Sequence, residues 1–171
     1  MDSASRRKLL AATFVVYLFV IAAVTIVPAR LARPRMPRSN HVNLVPLGYS
    51  FTCFLQDRAA HPRLAAFCLR NTLGNLVLFL PLGILLPLLF KRFRTVGRVV
   101  LLAAFLSLSI ETIQFFSAFI GNLRAVDIDD VLLNTLGAGV GFVVYRLARG
   151  ERRTEEREQK SGLRRAARKE L

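Results

Sequence analysis

Four long apolar runs dominate this sequence and limit what it can fold into. The first, Leu9–Val27, holds nineteen consecutive residues without a charge. A helix rising about 1.5 Å per residue needs roughly this length to cross the hydrocarbon core of a bilayer. Three further runs lie at residues 72–90, 99–119 and 131–148. A helix on the surface of a soluble protein would carry polar residues at every third or fourth position, and the first two runs do not. We therefore predict an all-α polytopic membrane protein, a bundle of four transmembrane helices.

The charge balance is compatible with this class. The chain has 171 residues, 53% of them hydrophobic, which excludes an intrinsically disordered chain. Its formal net charge of +14 would suggest a nucleic-acid-binding protein if the chain were soluble. However, the basic tail at residues 149–171 has no aromatic residue on which bases could stack. We predict no nucleic-acid partner, and a solvated, partly helical tail held near anionic headgroups.

The distribution of basic residues predicts the orientation. Seventeen of the 25 lie before the first run, between the second and third runs, or from Arg146 near the end of the fourth run onward. Because basic loops stay on the cytoplasmic side, both termini are predicted to be cytoplasmic, in the cell membrane. The predicted organisation is a cytoplasmic N-terminus at 1–8, a membrane domain at 9–148 with an outer loop at 29–71, and the cytoplasmic tail at 149–171.

Two features, one on each side of the membrane, stay open on sequence alone. The basic segment Arg6–Lys8 before the first run resembles the start of an export signal. However, the run that follows is longer than the apolar region of a signal peptide, which usually has about 7–15 residues. We expect a retained anchor. Cys53 and Cys68 both fall in the outer loop, where an oxidising compartment would permit a disulfide. Two unpaired thiols are the alternative.

Polar residues inside the third run form a stripe. Ser107, Glu111 and Gln114 are spaced at i, i+4 and i+7, which places them on one helix face. A carboxylate within a membrane span is costly, so Glu111 is expected to face the bundle interior and to have a partner. Ser107 is expected mainly to hold helices together.

The start of the fourth run continues this pattern. Asp127 fits an ordinary helix cap, and Asp127, Asp129 and Asp130 all complement the positive end of the helix dipole. Asn134, however, lies one turn deeper on the face of Asp127 and Asp130. Gly137 and Gly141 extend that face and predict a close helix neighbour. Asn75 lies at matching depth in the second run. The predicted ligand-binding residues are Asn75, Glu111, Gln114, Arg124, Asp127, Asp130 and Asn134.

This polar set is open to several interpretations. One is a network in which these residues pair with one another, with Arg124 bridging Glu111 and Asp127. The others are a site for a divalent cation and a site for a polar headgroup or peptide. Kinks at Pro81 and Pro87 would open a groove for such a ligand. Catalysis is harder to support, because the sequence lacks an H-E-x-x-H motif or a Ser/His pair, and both histidines fall in the outer loop. No cofactor is required.

Four motifs together resemble the VanZ-like family over residues 9 to 148. They are N-L-V-P-L at 43–47, N-x-x-G-N-L-x-x-F-x-P-L-G at 71–83, E-x-x-Q at 111–114 and R-x-x-D-I-x-D-x-x-x-N-x-x-G at 124–137. The last is specific in combination with the others. The tail after Arg149 takes no part in the resemblance.

The resemblance implies a small polytopic bacterial membrane protein. The family's namesake confers low-level resistance to teicoplanin and related lipoglycopeptides without altering the D-Ala-D-Ala terminus. The expected function is therefore to bind or shield an envelope lipid or lipid-linked cell-wall intermediate. An intramembrane enzyme acting on a lipid headgroup, with Glu111 or Asp127 as general base, and a scaffold subunit that contacts a partner through Gly137 and Gly141 are the alternatives.

Overall fold

A computed structural model describes residues 2–26, 42–43, 45–46, 62–118 and 126–167. Its four long helices are α1 (Ser3–Ile26), α2 (Pro62–Leu89), α3 (Val96–Ala118) and α4 (Ile128–Ala167). A short 3-10 helix, Lys91–Phe93, connects α2 to α3.

Each long helix contains a segment long and apolar enough to cross a membrane. These segments are Ala4–Thr25, Cys68–Leu89, Val96–Ser117 and Ile128–Gly150. The prediction of a four-helix, multi-pass membrane protein is confirmed at this level. The helices begin before the apolar runs do, because polar residues at a membrane surface continue a helix as readily as they end one. α4 also continues through most of the basic tail, to Ala167.

The first helix begins at a capping residue. The Asp2 carboxylate accepts a hydrogen bond from the backbone N–H of Ser5 at 2.8 Å. Such a bond satisfies a donor that has no partner within the helix. Hydrogen bonds from the side chain and backbone of Ser5 lower the pKa of the Asp2 carboxyl.

The bundle has two chemically different ends. Leu76 of α2 lies against Gly137 of α4, and Leu80 lies against Gly141, one turn further along both helices, so these two helices run in the same direction. α1 and α3 run the other way, and both finish at the end of the bundle where α4 begins. We call this the polar end. The opposite end carries Arg6–Lys8, Lys91–Arg94 and Arg98, and we call it the basic end.

α2 and α4 form the most closely packed pair of helices in the bundle. α4 packs most extensively on α2 and next on α3, whereas α1 packs more lightly against α2 and α3. The core consists mainly of large apolar side chains from α2 and α4 and smaller ones from α3, including Phe79, Leu82, Val99, Ala103 and Phe142. The outward faces of the helices are also apolar, as a hydrocarbon environment requires: Phe19, Leu101 and Phe105 are exposed.

Three glycines allow α2 and α4 to touch backbone to backbone. A Cβ added at Gly137 would lie 2.0 Å from the carbonyl oxygen of Leu76, and one at Gly141 would lie 2.1 Å from that of Leu80. From the other side, a Cβ at Gly83 would lie 2.0 Å from the Ala138 oxygen. The face of α4 that carries Gly137 and Gly141 is therefore covered by α2 of the same chain.

A two-residue parallel strand pair adds to the helices at the polar end. β1 (Val42–Asn43) pairs with β2 (Val126–Asp127), with Val42 opposite Val126 and Asn43 opposite Asp127. The N-L-V-P-L segment thus begins against the residues that lead directly into α4.

Candidate functional site at the polar end

The first turn of α4 is capped by Asp127, the residue directly before the helix. Asp127 accepts a hydrogen bond from the backbone N–H of Asp129 at 3.0 Å through its side-chain oxygen Oδ1. The predicted capping role therefore applies to Asp127. Asp129 is almost completely buried, with 1% of its surface exposed, and it stands at the positive end of the helix dipole, which favours a carboxylate.

Glu111 reaches the same helix start from α3. Its Oε2 accepts the backbone N–H of Asp127 at 3.2 Å, and only 4% of the residue is exposed. A carboxylate placed against backbone N–H groups at a helix start gains both a hydrogen bond and a favourable dipole interaction. The predicted partner for this costly intramembrane residue is thus, at least in part, the backbone that enters α4.

Asp130 faces α2 instead. Its Oδ1 accepts hydrogen bonds from the side-chain amides of Asn71, at 3.1 Å, and of Asn75. Asn71 and Asn75 are one helical turn apart, so both amides reach one carboxylate. Asp127 and Asp130 therefore tie the start of α4 to different neighbours.

One turn deeper, Asn134 contacts α3. Its Nδ2 donates to the Ser107 hydroxyl oxygen at 2.8 Å, and both residues are buried. The other amide atom, Asn134 Oδ1, is buried without a hydrogen-bond partner, as is the hydroxyl of the adjacent Thr135. Buried polar atoms without partners are uncommon in proteins. Asn134 Oδ1 and the Thr135 hydroxyl can therefore each form a further hydrogen bond within the bundle.

Gln114 connects a different pair of helices. Its Nε2 donates to the backbone carbonyl of Thr25 near the end of α1, at 2.9 Å. The Thr25 hydroxyl in turn donates to the Ile21 carbonyl at 2.7 Å. Gln114 thus attaches α1 to α3, and this hydrogen bond leads away from α4.

Comparison with known proteins identifies the family. The sequence profile described as VanZ/LLP1 matches residues 14–149, which is most of the chain. The chain belongs to the VanZ/LLP1 family.

A curated relative agrees with this assignment. A protein of Enterococcus faecium, described as Protein VanZ, is 35% identical over 79 residues, which are 46% of this chain and 46% of the relative. The match therefore spans about half the length of that relative. No solved structure is significantly similar to this chain.

The motifs of this VanZ/LLP1 chain come together only in part. Asn75, Glu111, Asp127, Asp130 and Asn134 all lie at the polar end, and Ser107, Glu111 and Gln114 form the buried stripe that their spacing predicted. Arg124, and with it the predicted bridge from Glu111 to Asp127, lies outside the described residues.

Three residues of this end were not among the predicted ligand-binding set. Asn71 shares Asp130 with Asn75, Ser107 holds Asn134, and Asp129 is the most buried of the three aspartates at positions 127, 129 and 130. The four-residue spacing from Asn71 to Asn75 was a usable signal for the first. Nothing in the sequence distinguishes Asp129 from its neighbours as the buried one.

Two further features concern cations and cysteines. Within the described residues, no group of three or more His, Cys, Asp or Glu side chains is arranged to hold a metal ion.

Cys68, which is buried near the start of the second span, is disulfide-bonded. The other cysteine of the chain, Cys53, lies outside the described residues, as do His41 and His61.

Proposed function

We propose that this VanZ/LLP1 protein resides in the bacterial cell membrane with both termini cytoplasmic and binds the polar part of an envelope lipid or lipid-linked cell-wall intermediate. Binding takes place at the polar end of the bundle and lowers susceptibility to teicoplanin-type lipoglycopeptides. Family membership and the similarity to Protein VanZ support the antibiotic context.

The observation that carries the proposal is the convergence of polar side chains from three helices at one end of an otherwise apolar bundle. α2 contributes Asn71 and Asn75, α3 contributes Glu111, and α4 contributes its aspartates. Holding together four helices would not require so many carboxylates, because each is expensive to place in a membrane. A ligand-binding role accounts for that cost.

The chemistry of this cluster indicates what kind of group it binds. Carboxylate and amide oxygens are hydrogen-bond acceptors, and one carboxylate offers about four lone-pair sites. Such groups favour ligands rich in donors, namely sugar hydroxyls and amino groups. The unpartnered Asn134 Oδ1 is one more acceptor within the bundle. We therefore favour a glycosylated or amino-bearing headgroup, whose lipid tail lies along the exposed apolar helix faces.

The test is antibiotic susceptibility in a sensitive Gram-positive host. The host expresses wild type, Glu111→Gln or Asp127→Asn, and membrane levels are matched by immunoblot. Both changes keep the size and an acceptor oxygen but remove the charge. Glu155→Gln in the basic tail makes the same chemical change outside the membrane and is the matched control.

We expect wild type and the control to raise the teicoplanin inhibitory concentration several-fold, more than that of vancomycin. Glu111→Gln and Asp127→Asn should lose this effect. If both variants protect as well as wild type, the polar end is not the functional site. If well-expressed wild type protects against neither antibiotic, the resistance role is wrong.

A further inference from the structure

The basic end contains a groove that the proposed function does not use. It has a volume of about 490 Å³, within the usual range for sites that bind small ligands. Four cationic side chains line it, one from α1 and three from the connection between α2 and α3: Arg7, Lys91, Arg92 and Arg94. Neither Asp nor Glu is among the described residues that line the groove.

One wall of the same groove is apolar. Leu88, Leu89 and Phe90, at the end of the second span, lie beside the cations. A groove that places four positive charges next to the end of an apolar span is amphipathic in the same way as a phospholipid. A soluble phosphate would have no use for the apolar wall.

Residues that line the groove are held in place by contacts with their neighbours. The Phe90 ring packs edge to face on Phe14 of α1, with 6.1 Å between ring centroids, and also on Phe93, at 6.3 Å. Arg98 donates from Nη1 to the backbone carbonyl of Arg92 at 2.9 Å. These contacts fix the connection against α1, so the cations that converge on the groove are positioned by the fold.

We propose that this groove binds the headgroup of one anionic phospholipid, with the phosphodiester among the four cations and the upper part of the acyl chains against Leu88, Leu89 and Phe90. Basic pockets between helices are a recurrent means of retaining anionic lipids. This is a site separate from the polar end, at the opposite face of the bundle.

Native mass spectrometry of the full-length protein tests this. The protein is purified in detergent with phosphatidylglycerol or phosphatidylcholine added, and the lipid that remains bound is counted. The groove variant replaces four cations by glutamine: Arg7, Lys91, Arg92 and Arg94. The control variant replaces four cations of the tail in the same way: Arg152, Arg153, Arg157 and Lys160. Both lose the same charge.

Wild type and the tail control should retain one phosphatidylglycerol and little phosphatidylcholine. The groove variant should retain at least about tenfold less phosphatidylglycerol, since each basic residue near the headgroup adds to the attraction. Leu88→Gln, which keeps all four charges, should also weaken retention.

Several results would overturn the proposal. Equal losses in the groove and tail variants would show general charge attraction, and equal retention of both lipids would show no headgroup recognition. Displacement of the lipid by an excess of inorganic phosphate would assign the groove to a soluble anion. If the groove variant is not monodisperse, the milder Arg92→Gln/Arg94→Gln variant, on exposed positions, serves in its place and should show a several-fold loss.

Discussion

Asn134 on α4 donates a hydrogen bond to the Ser107 hydroxyl on α3 at 2.8 Å. Both residues are buried, with 3% and 0% of their surfaces exposed. The two helices cross the bundle in opposite directions, so this contact fixes how far each is rotated toward the other.

Removing one partner of this pair should destabilise the protein more than removing both. Ser107→Ala leaves Asn134 without its described partner and should lower the free energy of unfolding by about 1 kcal/mol. The double variant Ser107→Ala/Asn134→Leu removes the stranded amide and should lose less than the sum of the two single changes. Unfolding in mixed micelles, followed by circular dichroism, compares the free energies of unfolding of wild type, Ser107→Ala, Asn134→Leu and the double variant. Additive losses would mean that the two side chains do not interact.

The glycines of α4 should differ sharply in their tolerance of alanine. A Cβ at Gly137 would lie 2.0 Å from a backbone oxygen, whereas one at Gly139 would meet nothing closer than Val100 Cγ2 at 3.9 Å. Gly137→Ala must push α2 away and should cost about 1–3 kcal/mol.

The matched change Gly139→Ala should be neutral or stabilising by up to about 1 kcal/mol, because alanine is the better helix former. Thermal unfolding of the two purified variants compares them directly. Equal melting temperatures would show that α2 and α4 are not in backbone contact at Gly137.

The Asn71, Asn75 and Asp130 cluster should respond unequally to truncation. Asp130→Ala removes the acceptor for two amides, whereas Asn75→Ala leaves the Asn71 contact in place. We therefore expect the first change to lower stability by about 1–3 kcal/mol and the second by less. Unfolding in mixed micelles, followed by circular dichroism, measures the loss of stability in each variant. A larger loss for Asn75→Ala would show that Asn75 has a role beyond this hydrogen bond.

Cys68 should be unreactive toward maleimide until the protein is reduced. The disulfide at Cys68 blocks its thiol, so a mass shift should appear only after treatment with dithiothreitol. Cys68→Ser protein, which has one remaining cysteine, should react without reduction. Labelling of unreduced, denatured wild type would show that the thiol is free.

The orientation is testable at the C-terminus. Seventeen basic residues on the side of the N-terminus and tail favour the cytoplasm. Green fluorescent protein fused after Leu171 should therefore fluoresce, and alkaline phosphatase fused at the same place should be inactive. The opposite pair of results would invert the bundle and place the polar end in the cytoplasm.

Much of the bundle could be predicted from hydropathy, because a membrane span must be long, apolar and helical. The four runs, the buried stripe of Ser107, Glu111 and Gln114, and a polar cluster at one end all follow from length and spacing. The fourth span was expected at 131–148, and the apolar segment of α4 is Ile128–Gly150. The tail was expected to be partly helical, and α4 continues through it to Ala167, because nothing in a charged tail free of proline forces the helix to stop.

Contacts between helices could not be predicted in the same way. Spacing within one helix shows which residues share a face, but the partner of that face depends on how neighbouring helices are rotated. Asp130 and Asn134 were assigned to one face, yet Asp130 contacts α2 and Asn134 contacts α3. The pairing of Asn43 with Asp127 joins segments more than eighty positions apart, and no local pattern indicates it.

The continuity of α4 has a mechanical consequence. Its 40 residues rise about 60 Å at roughly 1.5 Å each, about twice the thickness of a hydrocarbon core. A tilt of about 5° at the capped end of a straight helix would carry the far end sideways by about 5 Å for a rise of this size. If the ligand proposed for the polar end tilts α4 when it binds, the same helix would move the tail segment beyond the opposite end of the bundle.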